Sequence, residues 1–269
     1  MNDAMRNPKL ADRIADELKA WITKRGLKPG DLIAKEAELQ ATFGVSKATT
    51  REALKSLEVQ GLISISTGPN GGARVEKVPF ASAFQHLQTY LYFTDLNPFQ
   101  LYEVRALIEP ELVWGAVPRL SDADIAALER SVEICEQVPQ DRAHVVRQRQ
   151  EDLAFHSIIA SAHPNALLRF MVEFVSEALR QLVTPTSPTT AAANSRYGQA
   201  NTHAHREILS AIKARDADGA RSLMTRHLSE VEAQVRRMHM SFQQRLVLDA
   251  DLKPASKLSK LGARGRPAR

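Results

Sequence analysis

Asp152 and His156 stand four residues apart in a stretch with helical periodicity, so both side chains leave one face and can reach a single metal ion. A carboxylate and an imidazole at that spacing are more often a surface pair, so the spacing alone decides little. Two further histidines add weight. His205 heads an apolar-periodic run with Ile208, Leu209 and Ile212, and His227 lies among Leu223, Met224 and Leu228, which sets both at the edge of inward faces. A histidine on an apolar face is usually a satisfied core residue. Three histidines and an aspartate converging in a helical bundle instead suit a divalent ion, zinc first, with nickel or manganese as alternatives. His203, two residues from His205, points elsewhere on its helix, and His163 precedes Pro164 in an expected turn; His86, His144 and His239 have no motif support. A metal centre with an open position could also activate water, so a metal-dependent enzyme is the rival reading. No nearby Glu or further His is marked by its spacing as a general base.

A second constellation suits phosphates and base edges. Ser46 is a good helix N-cap, and the helix it opens carries Lys47, Thr49, Thr50, Arg51 and Lys55 on one side and Ala53, Leu54, Leu57 and Val59 at roughly helical spacing, up to Gly61. Donors crowded into the first turns of a helix fit a recognition helix in the major groove; a solvated face is the plain alternative. The flanking segments favour DNA. Glu36 to Phe43 reads as a short helix ended by Gly44. Leu62 to Ser66 alternates as a strand, Thr67 to Gly72 is a turn, and Ala73 to Glu76 reads as the returning strand. That hairpin would bring Arg74 and the glycine backbone at Gly71 near a phosphate or the minor groove. Upstream, Leu10, Ile14, Leu18 and Ile22 form an apolar stripe beside Trp21, and Lys28-Pro29-Gly30-Asp31 is a turn signal.

The elements that must position these groups divide the chain into three parts. Residues 1–78 read as a winged helix-turn-helix of three helices and a β-hairpin wing. Residues 79–246 read as an all-α antiparallel bundle, with helices near 81–94, 97–116, 121–137, 141–162, 165–184, 196–214 and 216–246. The stripe Leu101, Val104, Ile108, Leu112 supports the second of these, and Ser121-Asp122-Ala123-Asp124 supplies a start for the third. Thr184 to Ala193 reads as a loop. Residues 247–269 read as a disordered basic tail holding Arg264-Gly265-Arg266-Pro267, similar to an AT-hook core, with a nonspecific phosphate-attracting tail as the alternative.

The ordered motifs carry a family resemblance. Pro29-Gly30-Asp31, Glu36-Ala37-Glu38-Leu39, Gly44-Val45-Ser46-Lys47, Arg51-Glu52-Ala53-Leu54, Gly61-Leu62-Ile63 and the glycine wing from Gly68 to Val75 resemble the DNA-binding domain of the GntR family of bacterial transcription regulators. Residues 80–240 resemble the FCD effector domain of its FadR subfamily, through Arg105 with Glu109-Pro110, Asp152-x-x-Phe155-His156, Ser161 with Asn165, His205-Arg206-Glu207-Ile208-Leu209 and His227-Leu228. The resemblance implies a regulator of double-stranded operator DNA, a repressor by family tendency, acting as a homodimer and not an enzyme. It also implies Asp152, His156, His205 and His227 as metal ligands, Arg105 as a carboxylate-binding arginine, and a small organic acid as effector. A purely structural metal without an effector is the narrower alternative. The sequence departs from the family where Ala37 and Lys47 stand in place of usual arginines; a lysine cannot fork onto guanine, so Arg51 is left with more of the base contact.

Charge and composition exclude several classes. Of 36 basic and 31 acidic residues, residues 1–78 hold 13 and 10, residues 79–248 hold 17 and 19, and residues 249–269 hold 6 and 2. The basic excess therefore lies at the two ends, which argues for local DNA contact. The chain has neither a long apolar run nor a signal-peptide core, so neither a membrane span nor secretion is expected, and the cytoplasm is the expected compartment. The single cysteine, Cys135, is expected to pack as a small apolar residue.

Overall fold

A computed structural model describes residues 9–68, 71–94, 96, 98–182 and 191–237. The tail motif at Arg264 to Pro267 lies outside these residues, as does most of the expected loop from Thr184. The chain forms two compact units, Met1–His86 and Leu87–Arg269.

The first unit is built on α1 (Leu10–Arg25), β1 (Leu32–Ala34), α2 (Glu36–Phe43), α3 (Lys47–Val59), β2 (Ile63–Ser66) and β3 (Gly72–Val75). On α1 the core face is Ala11, Ile14, Ala15, Leu18 and Ile22, so Ala11 takes the place expected of Leu10, which is exposed. Gly44, at φ 62°, ends α2 in the left-handed region that costs an L side chain strain. Ser46 caps α3 by accepting from Thr49 N at 3.2 Å, and Ala53, Leu54 and Leu57 bury the face that meets α1. Val59, at the end of that helix, is exposed instead. Each fully buried leucine of this kind contributes about 1.5–3 kcal/mol. The wing is a three-stranded antiparallel sheet in the order β1-β3-β2, in register Ile63↔Val75 to Ser66↔Gly72. The expected hairpin is present, and β1 adds to it a strand too short for alternation to mark.

α4 (Phe80–Tyr92) follows, and the second unit continues with α5 (Pro98–Ala116), a 3-10 turn at Val117–Arg119, α6 (Asp122–Glu136), α7 (Arg142–Ser161), α8 (Ala166–Leu182), α9 (Ala191–Lys213) and α10 (Ala217–Arg237). Ser121 and Asp124 cap α6 reciprocally, at 3.2 and 2.8 Å. α5 packs on α10, α8 and α7, while α9 packs on α10 and α6. The core between them joins Leu112, Val113, Leu128, Phe155, Ile159, Ile208, Met224 and Leu228. Cys135 touches the Gln148 carbonyl at 3.4 Å; burial pushes its thiol up to about 12, so it packs rather than reacts. α9 begins at Ala191, earlier than the expected helix at 196, because Ala191 to Ala193 extend a helix that their composition had suggested as loop.

Candidate metal centre and DNA-reading surface

Three helices of the second unit each bring one histidine to a common point. His156 on α7, His205 on α9 and His227 on α10 are all buried. Their neighbours explain why: Ile208, Leu209 and Ile212 bury the His205 face, Met224, Leu228 and Val231 that of His227, and Phe155 and Ile159 flank His156. His205 Nε2 lies 3.2 Å from His156 Nε2 and 3.2 Å from His227 Nε2. A tetrahedral ion with metal–nitrogen bonds of about 2.0–2.1 Å sets its ligand nitrogens about 3.3–3.4 Å apart, so this spacing fits one. Burial first, then the adjacent imidazoles, hold His205 and His227 well below the ordinary histidine range, which leaves neutral rings able to offer lone pairs. Phe155 stacks on His205 with centroids 4.1 Å apart and fixes its ring plane.

Asp152 stands at the margin of this cluster. Its Oδ1 is 3.8 Å from His205 Nε2 and accepts from Asn201 Nδ2 at 3.4 Å, and its side chain is 25% exposed, so it flanks the histidines on a side that solvent reaches. His203 is exposed and faces Glu207 at 3.9 Å, away from the cluster.

Glu109, which spacing alone did not mark as part of the site, links the histidines to Arg105. Glu109 Oε1 accepts from Arg105 Nε at 2.6 Å, and Oε2 lies 2.6 Å from His156 Nδ1, off the line of an ideal ring N–H bond, and 3.5 Å from Arg105 Nη2. A proton on His156 Nδ1 then faces the carboxylate and leaves Nε2 to a metal, the usual carboxylate–histidine support of a metal ligand. Burial would raise the Glu109 carboxyl, but Arg105 and His156 outweigh it and hold it well below the usual range. The Arg105–Glu109 pair at i,i+4 is therefore real but lies inside the bundle, with Arg105 3% exposed, and not on the helix surface. Arg105 also lies 6.0 Å from the Tyr102 ring centroid.

In the first unit, Lys47, Arg51 and Lys55 lie exposed along α3. A groove of about 590 Å³ between α3 and the wing is lined by Glu36, Arg51, Lys55 and the glycine backbone at Gly68, Gly71 and Gly72. Glu36 Oε2 holds Arg51 Nε at 3.1 Å, so the arginine is oriented before any ligand arrives. A Cβ on Gly71 would lie 2.5 Å from the Ser66 carbonyl oxygen, which is why the wing turn needs glycine there. One expected contact needs correction. Thr50 is 1% exposed and its hydroxyl donates to the Ser46 carbonyl at 3.2 Å, so it belongs to the core side of α3 and not to its outer face. Arg74 donates through Nη1 to the Gly30 carbonyl at 3.0 Å and so fastens the wing to the turn at residues 28–31. Lys55 pairs with Glu58 at 2.8 Å.

Residues 10–75 match the gntR family of bacterial regulatory proteins, and residues 100–230 match the FCD domain. The chain belongs to the GntR family, in the group that carries an FCD domain, and is a DNA-binding transcriptional regulator rather than an enzyme. Among its relatives, the HTH-type transcriptional repressor NanR of Edwardsiella tarda is 30% identical over 84% of this chain and 85% of its own. The HTH-type transcriptional regulator LutR of Bacillus subtilis is 29% identical over 77% and 92%. The solved structure of Streptococcus agalactiae GntR shares the fold, at a TM-score of 0.56 and 24% identity over 83% of this chain and all of that one. Among the described residues no helix is long and apolar enough to cross a membrane.

Proposed function

We propose that the protein is a homodimeric repressor whose hold on operator DNA is set by a small organic acid bound beside a divalent metal ion, zinc by preference. The observation that carries this reading is the set of three buried histidine nitrogens spaced for one ion, with Glu109 behind His156. His156, His205 and His227 would hold the ion, with Asp152 as the anionic fourth ligand. Bound there, a divalent ion supplies a Lewis-acidic point that attracts a carboxylate or hydroxyl oxygen. The chain's own groups do the rest. Glu109 occupies the Nε and Nη2 side of Arg105, so an acid meets this guanidinium from its Nη1 end.

At the DNA, Lys47, Thr49, Arg51 and the Gly71 backbone face the operator while Ser46 and Glu36 set the helix start and the Arg51 fork. A two-fold operator calls for a two-fold protein, which places two α3 helices about one DNA turn apart. Such a regulator works in the cytoplasm. The effector changes operator affinity only by preferring one arrangement of the DNA-binding units, and a coupling of roughly 1–3 kcal/mol changes it about 5- to 150-fold. Metal analysis of purified protein tests the centre: about one ion per chain is expected, and His227→Ala should lose it. Equal metal content in wild type and His227→Ala would remove the metal from the proposal.

A further inference from the structure

Arg149 is one turn before Asp152 and two before His156 on α7, so the three side chains share a helix face. Along the axis it is offset from Asp152 by about 4.5 Å and from His156 by about 10 Å. Its Nη1 nitrogen is buried without a hydrogen-bond partner among the described residues. A buried guanidinium nitrogen without an acceptor is costly, and such orphans are few in folded proteins. Tyr102, buried on α5, lies within electrostatic reach of Arg105, Asp152 and Arg149 together, although burial is what chiefly pushes its phenol up to about 12. Two acids of this site already have partners. Asp152 accepts from Asn201 and lies beside His205, and Glu109 is engaged by Arg105 and His156. Arg105, the arginine expected to receive a ligand carboxylate, already has an internal carboxylate against two of its nitrogens. What this corner lacks is a second anion.

We infer that Arg149 is an anion-binding residue of the effector site, and that the effector is a short dicarboxylate with one acid group at the Asp152–histidine cluster and the other on Arg149. The inference rests on the small-acid reading of the same site and narrows it. A monocarboxylate would satisfy the metal side and leave Arg149 Nη1 without an acceptor; a diacid supplies one at each end, with the charge-assisted bond placed where water is largely excluded.

Malate and 2-hydroxybutyrate test it, because they share a carbon count and the 2-hydroxy acid head and differ in whether the far end is carboxylate or methyl. Calorimetric titration of full-length zinc-loaded protein should show malate binding at least tenfold more tightly. In Arg149→Gln the two acids should bind alike, at the wild-type 2-hydroxybutyrate affinity and with unchanged zinc content, while Arg149→Lys should regain part of the preference. Without ligand, Arg149→Gln should keep or raise the melting temperature, since it removes a buried nitrogen that has no acceptor. A full malate preference in Arg149→Gln, no preference in wild type, or a lowered ligand-free melting temperature in Arg149→Gln would each overturn the role of Arg149. Failure of wild type to bind either acid would overturn this inference together with the small-acid reading on which it rests.

Discussion

Glu109 is the residue on which the centre turns. It holds His156 on one oxygen and Arg105 on both, and all three groups are buried. Glu109→Gln removes the charge that orients the His156 ring, and loss of such an outer partner costs about 10- to 100-fold in metal affinity. Chelator competition should read that loss. The same change strands a buried guanidinium, and breaking one partner of a buried pair costs about 3–5 kcal/mol. Glu109→Gln should therefore melt well below wild type, and the added change Arg105→Gln should recover part of the difference; no recovery would mean that the two side chains do not act as a pair. His205 and His227 were legible because each sits within an apolar run whose periodicity points inward, and His156 because it stands four residues from Asp152. Glu109 was visible in the same motif as Arg105, but an i,i+4 acid–base pair looks the same in sequence whether it is on a surface or in a core.

At the scale of elements, α5 shows where periodicity stops being informative. The stripe Leu101, Val104, Ile108, Leu112 predicts the helix, but the line facing the core also runs through Tyr102, Arg105, Glu109, Val113 and Ala116, while Leu107 is 76% exposed. Hydrophobicity cannot mark a buried face that holds an arginine and a glutamate, because those residues are buried only once α7, α8 and α10 supply their partners. β1 was missed for a different reason: three residues carry too little alternation, and β3 alone defines them as a strand. Gly115 on α5 makes a test of packing. A Cβ there would lie 2.4 Å from His163 Nε2, and that ring is held by the Asn165 N–H at 3.1 Å. Alanine in a helix interior ordinarily gains about 1 kcal/mol over glycine. Here the clash should reverse the sign, so Gly115→Ala should lose about 1–3 kcal/mol in denaturant unfolding; a gain would mean His163 moves aside freely. In the other unit, Ser46→Ala should cost about 1 kcal/mol through the lost α3 cap, read from the melting of the DNA-binding unit.

On the scale of the whole molecule, the proposed function gives sensing to the helical unit and reading to the winged unit. The winged unit presents Lys47 and Arg51 with Arg51 already oriented by Glu36, and it carries Ala37 where the family resemblance leads to the expectation of an arginine, so its operator should not be copied from relatives. The helical unit holds the only three-histidine cluster found among the described residues. Its shape was legible as a helical bundle from repeated helix signals, whereas the distances that make it a candidate metal centre come from tertiary packing that no local pattern carries. The central claim is that this cluster governs the DNA reader through a bound acid. An operator fragment titrated with metal-loaded protein, with and without a dicarboxylate shown by calorimetry to bind, measures it directly in wild type and in His205→Ala. The account predicts that the acid shifts wild-type operator affinity about 5- to 150-fold and leaves His205→Ala unmoved. An unshifted wild-type affinity with the acid bound, or an equal shift in His205→Ala, would contradict it.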